Sequence, residues 1–252
     1  MKVGRRVAEL CVQSGKRVQT EMGGKNPLVV LDDADLGIAV EAAVNGAYFS
    51  AGQRCTASSR LIVTAGIHDQ FVEALQQRLA GLRVGNALNP DVHVGPVVDA
   101  RQLEQDLHYV DVARKEGAMV RGGERLTLDT DGYYLNPALI VGTTNQMVVN
   151  TDEIFGPVAT VIKVVDYDEA LATANDTTFG LSSGICSTSL RHVAHYKRHA
   201  RAGMVMVNAP TAGVDYHVSF GGRHGSSYGS REQGRAAREF YTMHKTAYIS
   251  PG

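Results

Sequence analysis

Two short segments of this 252-residue chain carry residue types that could do covalent chemistry. Cys55 stands in Gly52-Gln53-Arg54-Cys55-Thr56, with an arginine directly before it and small or polar residues after it. A thiol reacts as its thiolate, and a neighbouring cation with partial exposure favours that form. No apolar periodicity surrounds Cys55, so its setting at a helix–loop junction is that of a reactive thiol. Glu21 lies upstream in Thr20-Glu21-Met22-Gly23-Gly24-Lys25-Asn26, where two glycines let backbone crowd close. A nucleophile joined by a carboxylate base is the equipment of covalent catalysis.

Each residue has a plainer alternative. Free cysteine is usually a small buried hydrophobe. Cys11, on an apolar helical stripe, and Cys186, after Gly184-Ile185 in a strand, fit that description. A lone glutamate is usually an exposed strand end. Gly23-Gly24-Lys25-Asn26 fails as a phosphate loop, because Gln19 stands where a glycine is required and Asn26 is neither Ser nor Thr. No G-x-G-x-x-G opens a helix after a strand. A Cys–His hydrolase stays open, with nine histidines available and no local signature to choose among them.

The elements that must position these residues are read from periodicity. Apolar spacing predicts an amphipathic helix over Val3 to Ser14, with Val3, Val7, Leu10 and Cys11 on one stripe, closed by Gly15. Strands are expected at Arg17 to Met22, Pro27 to Leu31, Arg60 to Thr64, Ala118 to Val120, Leu135 to Val141, Val158 to Val165, Ser183 to Ser187 and Met204 to Val207. Helices are expected at Leu36 to Phe49, Asp69 to Leu82, Asp99 to Gly117, Asp168 to Asn175, Arg191 to Arg201 and Glu232 to Phe240. Gly122 to Gly132 reads as a turn-rich connection of hairpin type, and Lys245 to Ile249 as a terminal strand. Strands alternating with helices predict an α/β fold: a layered, mostly parallel sheet with flanking helices.

Five segments, in order, resemble those of the aldehyde dehydrogenase superfamily. They are the Glu21 and Cys55 segments, Asp152-Glu153-Ile154-Phe155-Gly156-Pro157-Val158, Asn175-Asp176 with Phe179-Gly180-Leu181 and Gly184, and Ser219-Phe220-Gly221-Gly222. The resemblance implies that Cys55 is the nucleophile and Glu21 activates the hydrolytic water. It implies that Glu153, through ribose hydroxyls, and Phe155, through ring packing, hold the nicotinamide end of NAD or NADP beside Gly23. It leaves open which of the two coenzymes is used. The backbone N–H of Cys55 is the implied oxyanion donor, and Asn26 is a candidate to orient a nearby loop. Arg54 and Thr56 are expected to face the substrate, an aldehyde.

Family members run to about twice this length, so the resemblance implies a partial cofactor site and three parts. Residues 1–22 would be a remnant of the cofactor-binding domain and 23–218 the catalytic domain. Residues 219–252 would be an arm with a docking helix and an oligomerisation strand. The expected partners are further copies of the chain or a missing N-terminal half. The C-terminal run from Gly225 to Thr242 looks most like enzymes acting on 2-oxoglutarate semialdehyde, an anion that a basic side chain such as Arg54 would receive. Ser219, in place of the usual Pro, is expected to loosen its turn, and His224 stands where the family usually has Lys. An inactive oligomerisation module and a Cys-dependent esterase are the competing readings.

Composition sets outer bounds. Hydrophobic content of 44% with 20% charged residues is ordinary for a globular protein. A formal net charge of −1 gives no nucleic-acid footprint. Three cysteines cannot close a disulfide framework and lack zinc-site spacing. No apolar run reaches the ~18 residues of a membrane span, and no apolar signal region follows the basic N-terminus, so a cytoplasmic location is expected.

Overall fold

A computed structural model describes residues 2–252. Helix α1 (Lys2–Gln13) leads to strands β1 (Thr20–Glu21) and β2 (Asn26–Val30), then α2 (Leu36–Tyr48), β3 (Ser58–Thr64) and α3 (His68–Ala80). Next come α4 (Ala100–Lys115), β4 (Met119–Arg121), β5 (Arg125–Leu126), β6 (Tyr134–Leu135), β7 (Ala138–Thr143) and a single turn, α5 (Val148–Thr151). The chain closes with β8 (Val158–Val164), α6 (Tyr167–Asn175), β9 (Ser182–Cys186), α7 (Leu190–His199), β10 (Met204–Val207), β11 (Ser227–Tyr228) and α8 (Gly234–Tyr241). Local chemistry starts several helices. The carboxylates of Asp35, Asp99 and Asp166 and the hydroxyl of Ser189 each accept from a first-turn N–H, satisfying donors that a helix leaves unpaired.

Seven strands form the main sheet in the order β10-β9-β2-β3-β8-β7-β4. Every pairing is parallel except β4 with β7. Interior strand β2 is buried along its whole length, as expected of a strand covered on both faces. Its side chains alternate between layers. Leu28 and Val30 pack with α2 and α3 through Ala43, Tyr48, Phe71 and Leu75. Val29 and Leu31 pack with α6 and α7 through Ala170, Ala174 and Tyr196. This two-sided core brings the loops after α2 and before β2 to the same end of the sheet. Among the described residues no helix is long and apolar enough to cross a membrane.

Several expectations change. The run expected as one strand from Leu135 splits into β6 and β7 at Asn136-Pro137, where proline has no N–H for the ladder. Residues 242–252 carry no strand and are exposed, because no strand edge of this chain pairs with them. Helix α1 forms, but none of its residues is buried and Cys11 is half-exposed, so its apolar stripe is not a core face here. Beside Ser219, Phe220 and Glu232 exchange both backbone hydrogen bonds at 2.8 Å.

The two ends of the chain are joined. Strand β1 pairs antiparallel with β11, setting Glu21 opposite Ser227. Arg17 Nη1 donates to the carbonyls of Glu239, Phe240 and Thr242 at 2.9–3.1 Å, fastening the end of α8 to the N-terminal arm.

One buried acid has an energetic consequence. Asp106 on α4 is fully buried, and its Oδ1 accepts from Gln102 Nε2 at 2.8 Å while Oδ2 has no partner. Burial pushes its carboxyl up to about 7 from 3.8. The folded state therefore keeps a proton that the unfolded chain releases between these values. Stability falls as pH rises through that window, and the loss is complete above the raised value. Asp106→Asn should raise stability above neutral pH by about 1–3 kcal/mol and flatten the pH dependence, as read from urea midpoints across the window.

Candidate active site

The cysteine loop is built by a sharp change of direction after α2. Ser50 and Ala51 take left-handed backbone angles (φ 55° and 53°), followed by Gly52 at φ 65°. A Cβ on Gly52 would run into the carbonyl of Gly156, so only glycine fits this close crossing. A turn closed by Ala57 N–H to Arg54 C=O (2.9 Å) then sets Cys55 and Thr56 at its centre.

Side chains from neighbouring elements hold the main-chain carbonyls of this turn. Asn26 Nδ2, at the start of β2, donates to the oxygens of Cys55 and Ala57, both at 2.9 Å. Asn26 Oδ1 accepts from Ser182 N–H at 3.0 Å on β9. The Thr56 oxygen receives Thr211 Oγ1 at 2.8 Å and Ser182 Oγ at 3.3 Å. Thr56 itself is buried. With the carbonyls tied into the sheet, the amides of Thr56 and Cys55 serve the thiol and favour its charged form.

Two carboxylates act on the same sulfur. The Cys55 thiol is pushed up chiefly by burial, and further by Glu21 and Glu153. Glu153 Oε1 accepts from Gly24 N–H at 2.8 Å. A Cβ on Gly23 would collide with the Glu153 carboxylate, and one on Gly24 would stand 2.7 Å from the Cys55 oxygen. The two glycines are thus the thin layer that lets Glu153 and the cysteine turn approach one another. Glu153 is raised by burial, against which the Gly24 amide and Lys25 act. Phe155 follows at φ 65° with its ring partly exposed. Gln102 and Gln105 hold that loop by donating to the Ile154 carbonyl at 3.0 and 2.8 Å.

Glu21 is half-buried and raised by burial. Its Oε2 accepts from Ser227 Oγ at 2.7 Å, and its Oε1 is buried without a partner.

Arg54 departs from its expected place. Its Nη2 donates to the carbonyls of Asn45 and Gly46 near the end of α2, where unpaired helix carbonyls attract a cation. It therefore neither activates Cys55 nor presents Nη2 to a substrate, and the thiol is raised rather than lowered. Thr56 contributes a buried anchor rather than an exposed hydroxyl.

Other residues gave no decisive signal in the sequence. Lys25 is buried, its Nζ has no hydrogen-bond partner, and burial with the nearby Arg60 pushes it down to about 7. Arg60 is itself fully buried and donates to the carbonyls of Lys25, Thr173 and Ala174 and to Asn145 Oδ1. The Gly-Gly-Lys-Asn run drew attention to Lys25, but only the fold shows its enclosure. Nothing local marks Ser227 as a partner of Glu21.

A partly buried thiol backed by two amides and influenced by two carboxylates stands at one end of an open, mostly parallel sheet. The aldehyde dehydrogenase family model matches residues 1–247, and the chain belongs to that family. It is 43% identical to an alpha-ketoglutaric semialdehyde dehydrogenase of Bacillus subtilis, over 99% of this chain and 52% of the relative. It is 42% identical to the alpha-ketoglutarate semialdehyde dehydrogenase of Haloferax volcanii, over 98% of this chain and 52% of the relative. Its fold superposes on betaine aldehyde dehydrogenase of Staphylococcus aureus in complex with NAD+, with a TM-score of 0.91 and 33% identity, covering 95% of this chain and 48% of the other. The chain spans about half the length of the curated relatives it matches.

The Asn26 brace is testable. Asn26→Ala leaves carbonyls of the cysteine turn unpaired and should cost about 1–3 kcal/mol, read from the denaturation midpoint. Alkylation of Cys55 should quicken while buried Cys186 stays protected, as followed by peptide mass mapping.

Proposed function

We propose that this chain carries the thiol chemistry of an aldehyde dehydrogenase, converting an aldehyde to a carboxylic acid with NAD or NADP. The observation that carries this reading is the braced turn that sets Cys55 within electrostatic reach of both Glu21 and Glu153. The Cys55 thiolate adds to the carbonyl carbon and forms a thiohemiacetal, whose oxygen takes the Cys55 N–H. The nicotinamide coenzyme, when bound, supplies the hydride acceptor that turns this adduct into a thioester. Glu21 takes a proton from water as the water attacks the thioester, releasing the acid and restoring the thiolate.

The residues present suit one end of a nicotinamide nucleotide. The missing Cβ of Gly23 leaves the Glu153 carboxylate seated against backbone, and a carboxylate accepts from ribose hydroxyls. The part-exposed Phe155 ring offers an apolar face to a flat ring. In this reading residues 1–22 lie on the cofactor-binding side, 23–218 form the catalytic domain, and 219–252 are an arm for docking and self-association. The substrate is 2-oxoglutarate semialdehyde, supported by the names of the two relatives above, and the location is the cytoplasm. The acid end of the substrate meets groups other than the Arg54 guanidinium.

Coenzyme reduction with 2-oxoglutarate semialdehyde and with a simple aliphatic aldehyde tests the reading. Cys55→Ala should lower turnover by about a thousandfold or more. Glu21→Gln should slow acid release by about 10²–10⁴-fold. Turnover that persists in Cys55→Ala overturns the assignment.

A further inference from the structure

Ser227 lies directly across the β1–β11 pair from Glu21, and its hydroxyl makes two short hydrogen bonds. It accepts from Gly222 N–H at 2.6 Å and contacts Glu21 Oε2 at 2.7 Å. The amide of Gly222 can only donate, so the single proton of the Ser227 hydroxyl is directed to Glu21. The direction of the bond is therefore set by the backbone.

We propose that Ser227 is the positioning residue of the Glu21 base: its hydroxyl fixes one carboxylate oxygen and favours the charged form that can take a proton. This inference rests on the reading of Glu21 as the base. The surroundings make such a device necessary. Burial works against the charge on Glu21, and Glu232 adds repulsion, while Ser227 is the strongest opposing influence and Arg231 a weaker one. Cys55, from the nucleophile turn, is the other titratable group that feels Glu21.

The second oxygen has no hydrogen-bond partner. Glu21 Oε1 and Arg231 Nη1 each lie 2.8 Å from the point where a Cβ on Gly221 would stand, and both are buried without partners. The two atoms are thus within about 5.6 Å of each other by the triangle rule, yet do not form an ion pair within 4.0 Å. Arg231 favours the charge from a distance, and the hydrogen bond that fixes the carboxylate comes from Ser227. The orientation of Glu21 is therefore set from β11, more than two hundred residues along the chain.

The test is the titration of the Glu21 side-chain carboxyl, followed by carbon-detected NMR and assigned with Glu21→Gln. In Ser227→Ala the Glu21 midpoint should move upward, and in Ser227→Thr, which keeps a hydroxyl, it should stay near the parent value. An unchanged midpoint in folded Ser227→Ala overturns the proposal. Should the alanine variant fail to fold because Gly222 N–H loses its acceptor, Ser227→Cys keeps the bulk with a weaker donor. An upward shift there supports the proposal and an unchanged midpoint overturns it. The readout needs neither coenzyme nor turnover, so an inactive chain leaves it standing, and an unchanged midpoint leaves Cys55 as the nucleophile.

Discussion

The carboxamide of Asn26 is the interaction on which the site depends. One side chain at the head of an interior strand spends both of its amide donor contacts on the carbonyls of Cys55 and Ala57 and its acceptor on the amide of Ser182. It joins the cysteine turn to two neighbouring strands of the sheet. A turn that follows residues in left-handed conformations would otherwise sample several geometries. Here its direction is set by a buried strand that cannot shift without disturbing the core on both faces.

The same constraint explains the glycines. The backbone of Gly23 and Gly24 separates the Glu153 carboxylate from the cysteine turn, and no side chain fits in that space. Burial first, and the two carboxylates after it, hold the resting sulfur toward its protonated form. An active thiolate then requires a change in the solvation or charge around it. Beneath this layer Lys25 is buried within the influence of Glu153 and of the buried Arg60, and is pushed down to about 7. A buried arginine bonded to four acceptors tolerates its charge, and the lysine beside it is the softer of the two.

Much of the scaffold was legible in the sequence, for reasons that are local. Strand β10 falls on Met204–Val207 as read, and α2 begins at Leu36 as read. Gly-Gly before Lys25 marks a close approach of backbone, and the Glu153 carboxylate and the Cys55 oxygen lie against it. Features that rest on distant partners were not legible. Nothing near Arg54 says that its guanidinium will turn to α2 instead of the thiol. Ser227 meets Glu21 only because the two ends of the chain pair, a contact more than two hundred residues apart in sequence. The terminal run at Lys245 to Ile249 has strand composition, yet a strand exists only where an edge receives it. Strong periodicity in α1 likewise says nothing about what its apolar stripe packs against.

Cys55, held by this brace, should become covalently acylated. Acid-quenched mass spectrometry of the chain mixed with aldehyde and coenzyme addresses this directly, because the adduct is located by peptide. An acyl group should appear on the Cys55 peptide and build up further in Glu21→Gln, where hydrolysis is slowed. An acyl group on Cys11 or Cys186 instead, or one that survives Cys55→Ala, would contradict it.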